Sequence, residues 1–179
     1  MREIPMEELR INPMTMFGED WCLICAGNQE KGYNAMTVSW GQLGTTWGKM
    51  TDKGKISIPT ATVFIRPQRY TKEFFDREDT FTICAFAPDR KKALTYMGTH
   101  SGREGSKAEK AGLTPLFLEG TTCFREASLV FVCRKLYQAP LLERGFVDPQ
   151  LVPLNYPLKD FHEVYVGEIV KVFAASPDK

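Results

Sequence analysis

The stretch ISIPTATVFIRPQRYTKEFFDR, Ile56 to Arg77, decides the reading of the fold. Ile56–Ile65 is rich in β-branched and apolar residues, the composition of a strand. Pro67 cannot donate to a ladder and holds Arg66 extended, so Arg66-Pro67 ends that strand. Thr71 then reads as the N-cap of a short helix running to about Arg77. Working outward, Trp21–Ala26, Asn34–Trp40, Thr80–Phe86, Leu129–Tyr137 and His162–Ala174 read as further strands. Shorter ones are expected near Pro115–Glu119 and Thr121–Arg125. Asp89–Met97, capped by Asp89, and Glu104–Ala111, closed by Gly112, read as short helices. Gly27–Gly32 is a turn. Gly41–Lys55, with four glycines and few aliphatics, and Gly145–Lys159, with three prolines, read as long loops. Loops of that length are often functional. Strands do not alternate with long helices, which disfavours a doubly wound parallel sheet. The expectation is a mainly β chain with short helices, an antiparallel barrel with helical excursions. Residues 1–19, interrupted by Pro5 and Pro13, read as an N-terminal arm, and residues 20–175 as one domain.

Composition narrows the function. The chain has 179 residues, 43% hydrophobic and 25% charged, the make-up of a globular domain. Its 23 basic and 22 acidic residues nearly cancel. That balance argues against a nucleic-acid binder. No apolar run approaches membrane-spanning length, and Met1–Arg10 lacks the apolar block of a secretory signal, so the expectation is a cytoplasmic protein without membrane partners. Five cysteines, an odd number without framework spacing, fit that compartment.

Several chemistries lack their motifs. There is no GxGxxG after a strand, no phosphate-binding GxxxxGK[ST] and no GxSxG. Cys22 and Cys25 form a CxxC, which could be a redox dithiol or half a zinc site. On a strand, however, residues three apart face opposite sides, which defeats a disulfide and shared ligation alike. The expectation is two core thiols and no metal site.

Two anion sites are compatible with the spacing. Arg66 and Arg69 precede a helix start, where free N–H groups, the Thr71 hydroxyl and guanidinium forks suit a phosphate. The same residues also fit an ordinary helix cap with solvated arginines. His100–Lys107 is a polar, glycine-containing loop entering a helix; it fits an anion nest or an exposed turn. Asn34–Trp40, with Thr37, Ser39 and Trp40, fits a strand whose backbone meets a flat heterocycle, or a strand with incidental aromatics.

The runs NAMTVSWGQLGTTW (Asn34–Trp47), FIRPQRYTKEFF (Phe64–Phe75), GTHSGREGSKAEKAGLTP (Gly98–Pro115) and DFHEVYVGEIV (Asp160–Val170) resemble, in that order, the flavin reductase-like family, and its flavoredoxin branch in particular. The resemblance implies a Greek-key split β-barrel that dimerises and binds non-covalent FMN. It implies a flavin ring against Asn34, Met36, Thr37, Val38, Ser39 and Trp40. It implies a phosphate near Arg66, Arg69, Tyr70 and Thr71, with Ser101 and Lys107 contributing. His162 matches the histidine that many family flavin reductases carry before their last strand, near the ring, as the candidate catalytic residue. Those relatives have Gly-Asp before it; here Asp160 and Phe161 stand there. The implied activity is NAD(P)H-dependent flavin reduction. The alternative is a flavoredoxin-type protein that keeps its FMN and passes electrons to a redox protein.

Overall fold

The computed structural model describes residues 1–176. Among these residues ten strands form in chain order: β1 Arg2–Glu3, β2 Cys22–Asn28, β3 Gly32–Val38, β4 Gly41–Thr51, β5 Gly54–Ile65, β6 Thr80–Ala85, β7 Pro115–Leu118, β8 Thr121–Phe124, β9 Leu129–Pro140 and β10 Glu163–Ala174. Five short helices interrupt them: α1 Pro13–Thr15, α2 Tyr70–Arg77, α3 Lys91–Thr99, α4 Lys107–Lys110 and α5 Leu151–Asn155.

The main sheet is antiparallel, in the order β3-β2-β6-β9-β10-β5-β4, with β1 added on β10; β7 and β8 pair separately. Its two end strands, β3 and β4, are joined by Ser39 and Trp40 alone. Two residues span little, so the sheet curls until its ends meet at that corner. The result is a barrel split along the β3/β4 seam.

Alternation of side chains fills both faces. Inside the barrel lie Ile24, Met36, Val63, Phe75, Phe81, Phe131 and Tyr165. Outside, under α3, α4 and the β7–β8 hairpin, lie Leu23, Leu94, Met97, Leu113, Phe124 and Val132. Strand β2 is buried on both faces, which explains its unbroken apolar run. Cys22 belongs to the inner cluster and Cys25 to the outer one, so the two thiols do diverge. All five cysteines are free and buried.

Several sequence expectations are corrected. Gly41–Lys55 is not a loop: β4 occupies most of it and pairs with β5, with a bulge between Thr45 and Gly48. Thr71 is not the N-cap of α2; Arg69 holds that position, without a side-chain cap bond. The Thr71 hydroxyl is instead taken by Asn34. Asp89 does not cap α3: a 3-10 turn, Pro88–Arg90, precedes it. Glu104–Ala111 is a 3-10 turn, Gly102–Glu104, followed by α4, and Gly112 follows with φ 68°. The Gly145–Lys159 region contains the one-turn α5. Residues 1–19 are tied to the barrel: Ile4 N–H donates to Val172 O at 2.9 Å, and Phe17 enters the core.

Candidate functional site

At the split, β3 is the last strand of the sheet order, so one side of its backbone has no ladder partner there. A cleft of about 240 Å³ opens along this edge, lined by Met36, Thr37, Val38, Ser39, Trp40, Phe64, Arg66, Arg69 and His162. A second cleft of about 370 Å³ adjoins it, and Met36 and Arg69 line both. Asn34, Tyr70, Thr71, Ser101, Gly102 and Lys107 are among its walls. The two form one trough, ring-sized at the seam and polar beyond it.

The polar end is built from three segments that approach closely. Asn34 on β3 donates from Nδ2 to Thr71 Oγ1 on α2 at 2.9 Å. Thr37 donates from Oγ1 to the Leu94 carbonyl of α3 at 2.5 Å. Glycines make the approach feasible. A Cβ on Gly102 would lie 2.3 Å from Asn34 Oδ1, and one on Gly98 would lie 3.2 Å from Thr37 Cβ. Lys107 is buried and donates to the carbonyls of Met97 and His100, at 2.9 and 3.1 Å. These are the carbonyls at the C-terminal end of α3, where a cation is favoured. Burial first, and then the charge of Arg69, push its ammonium down to about 8. Arg69 itself donates to Gly98 O at 3.1 Å. Two cations thus share one wall, with the exposed Glu104 as the carboxylate among the lining residues. An anion held between Arg69 and Lys107 would relieve their mutual repulsion.

Arg66 sits elsewhere. It lines the seam cleft and not the polar one. Its guanidinium bonds Asp160 Oδ2 at 2.5 Å and the Asn155 carbonyl at 2.8 Å, and lies over the Tyr156 ring. Gln68 also donates to Asp160 Oδ2, and together these bonds hold that carboxyl below the usual carboxylate range. The sequence grouped Arg66 with Arg69, Tyr70 and Thr71; the structure turns it towards the ring-sized end, as a clasp on the 141–160 excursion.

His162 lies immediately before β10, beside Trp40 with ring centroids 4.9 Å apart. Its Nδ1 is 2.8 Å from the Tyr156 hydroxyl. Burial, and then the positive charge of Arg66, push the imidazole down to about 4, so it is neutral at pH 7. Sequence reasoning missed Phe64, Gly98, Gly102, Tyr156 and Asp160 as individual site residues. Four of them stand in or beside the quoted blocks, and the short reach of Gly98 and Gly102 was the signal available. Among the described residues, no group of three His, Cys, Asp or Glu could hold a metal ion, and no helix is long and apolar enough to cross a membrane.

The model of the flavin reductase like domain family matches residues 55–179, more than half of the chain. The chain belongs to the flavin reductase-like family. The matched region contains Arg69, Lys107 and His162, and β3 lies before it. Among solved structures, the chain is similar to an FMN-binding domain of a flavin reductases-like enzyme from Shewanella baltica, with 13% identity and TM-score 0.62, over 97% of this chain and 76% of that one. It is similar to flavoredoxin from Methanosarcina acetivorans, with 19% identity and TM-score 0.63, over 95% and 76%. It is also similar to nitrilotriacetate monooxygenase component B from Bacillus cereus, with 15% identity and TM-score 0.63, over 98% and 82%. At these identities the likeness establishes the fold, a split barrel. A search of curated protein sequences gave no match.

Proposed function

We propose that the trough binds FMN and that the protein is a flavin-dependent oxidoreductase reduced by NAD(P)H. The observation that carries the reading is the continuity of the two clefts through Met36 and Arg69, which joins an open strand edge to a paired-cation wall. Bound FMN would supply two-electron redox chemistry, which the protein's own side chains lack. The chain's residues would do the rest. The free backbone edge of Met36–Ser39 would meet the polar rim of the ring, and Trp40, Phe64 and His162 would border it. Arg69 and Lys107 would hold the phosphate, helped by Ser101, Thr71 and the Tyr70 end of α2. The buried, carbonyl-bound Lys107 fits that group, because among the described residues it is a cation without a carboxylate partner. In this reading His162 borders the reductant and carries no charge.

A second reading, a flavoredoxin-type carrier that keeps its FMN and passes electrons to a protein, is favoured by the half-exposed Trp40 at the seam, which gives a partner direct contact with the cleft. Trp47, Met50 and Ile56 expose apolar surface on β4 and β5 and support a homodimer, testable by light scattering. Anaerobic mixing of FMN-loaded protein with NADH or NADPH tests the main reading. Rapid bleaching, with turnover of added free FMN, is expected. Bleaching only with a reduced redox protein would favour the carrier, and a chain that takes up no FMN would overturn both.

A further inference from the structure

We propose that Tyr156 is a positioning residue that holds His162 as its Nε2–H tautomer, so that the seam cleft is offered an N–H donor for a carbonyl or carboxamide oxygen of the bound substrate. This rests on the proposed function, in which the seam cleft holds the flavin ring and His162 borders the reductant.

The geometry begins with Tyr156. It follows α5, and its backbone N–H donates to Val152 O at 2.7 Å. Its ring is buried, with Trp40 and Phe146 edge-on and Phe161 tilted against it, while Arg66 covers it at 5.2 Å from the centroid. A side chain packed on so many sides has little room to swing its hydroxyl. Among the described residues the one side-chain partner of that hydroxyl is His162 Nδ1, at 2.8 Å. Its proton therefore has one acceptor, Nδ1. Were Nδ1 to carry a proton instead, the buried phenol proton would have no partner. A neutral imidazole that accepts at Nδ1 carries its hydrogen on Nε2.

Burial first, and then the charge of Arg66, keep the ring neutral; Arg69 adds to this, and Asp160, which opposes them, is engaged by Arg66 and Gln68. Nδ1 is turned to Tyr156, which is not part of the cleft lining, so Nε2 is the polar atom His162 has left for the cleft. The donor stays un-ionised across neutral pH. It would orient a carbonyl-bearing ring without bringing a second positive charge beside Arg66.

The chain has only two histidines, His100 and His162, so the tautomer is directly readable. Long-range 1H–15N correlation spectra of the full chain, labelled at the imidazole nitrogens, give the state of each ring at neutral pH, with His100→Asn supplying the assignment. The expected result is an Nε2–H pattern for His162 in the native protein, moving to averaged, mixed-tautomer shifts in Tyr156→Phe. An Nδ1–H or imidazolium pattern in the native protein would overturn the proposal, as would a Tyr156→Phe spectrum identical to the native one. Should that variant fail to fold, the native spectrum still decides. The measurement needs no flavin, so its failure and a failure to bind FMN are separately visible.

Discussion

Asn34 and Thr71 are joined by a 2.9 Å hydrogen bond that ties the free edge strand to the first turn of α2. The bond crosses the polar end of the trough, and Gly102 lies against the same Asn34 side chain. Strand, helix and loop therefore share one amide.

Gly102→Ala should break that junction. The added methyl would sit 2.3 Å from Asn34 Oδ1, so the amide or the loop must move. A loss of about 1–3 kcal/mol is expected, as for other overpacked sites. Weaker FMN binding should accompany it. Gly44→Ala, which meets nothing within 4 Å, is the control and should stay within about 0.5 kcal/mol of the parent. Urea melts of both variants, with flavin titrations, check this.

Arg69→Ala and Arg66→Ala should fail differently. Arg69 borders the polar cleft, so its removal should cost FMN affinity by about 1.5–3 kcal/mol while leaving riboflavin, which has no phosphate, nearly unaffected. Arg66 clasps Asp160 and Asn155, so its removal should loosen the 141–160 segment and keep the FMN-to-riboflavin ratio. Fluorescence titrations with both flavins decide. Equal loss of that ratio in the two variants would refute the division of roles.

Lys107 should make FMN binding pH-dependent on the alkaline side. In the flavin-free protein its ammonium is pushed down to about 8 from an ordinary 10.5. Phosphate binding favours the charged form, so affinity should be level below that pH and fall above it, by up to about tenfold per unit. The same linkage acts on folding with a definite sign. Between about 8 and 10.5 the unfolded chain holds the proton that the folded chain has lost. Stability of the flavin-free protein should therefore rise with pH across that window. Lys107→Met should abolish both trends in affinity and melting measurements.

The five thiols should be inert in the native state. All are buried, and burial raises Cys22 and Cys25 and pushes Cys123 up to about 12, which suppresses the reactive thiolate. An aromatic disulfide reagent should label none of them before denaturation and all of them after. Cys22→Ala should take up flavin as the parent does. Rapid labelling of Cys22 or Cys25 in folded protein would restore the dithiol reading.

The buried strands were legible because burial leaves a chemical trace. β2, β5, β6, β9 and β10 each carry apolar runs or alternation, and the opposite facing of Cys22 and Cys25 followed from strand geometry alone. β4 left no such trace. Most of it is solvent-exposed and none of it buried, so its glycines and threonines mimic a loop, and its pairing with β5 is what makes it a strand. Thr71 has the right chemistry for a cap, yet its hydroxyl is claimed by Asn34, 37 positions earlier in the chain. The turn of Arg66 towards the seam was hidden for the same reason, since its partner Asp160 lies 94 positions away.

Residue by residue, the amino-acid order by itself determined which segments extend, where Pro67 stops a strand, that Cys22 and Cys25 part company, and which side chains are chemically able to grip an anion. Those are local properties, set by backbone sterics, side-chain alternation and charge. Only the tertiary structure decided that β3 ends the sheet with a bare edge, that Arg69 and Lys107 share a wall while Arg66 turns away, and that Tyr156 meets His162. Each of those depends on curling a sheet until distant segments touch, and contact across so many residues is chosen by the packing of the whole barrel.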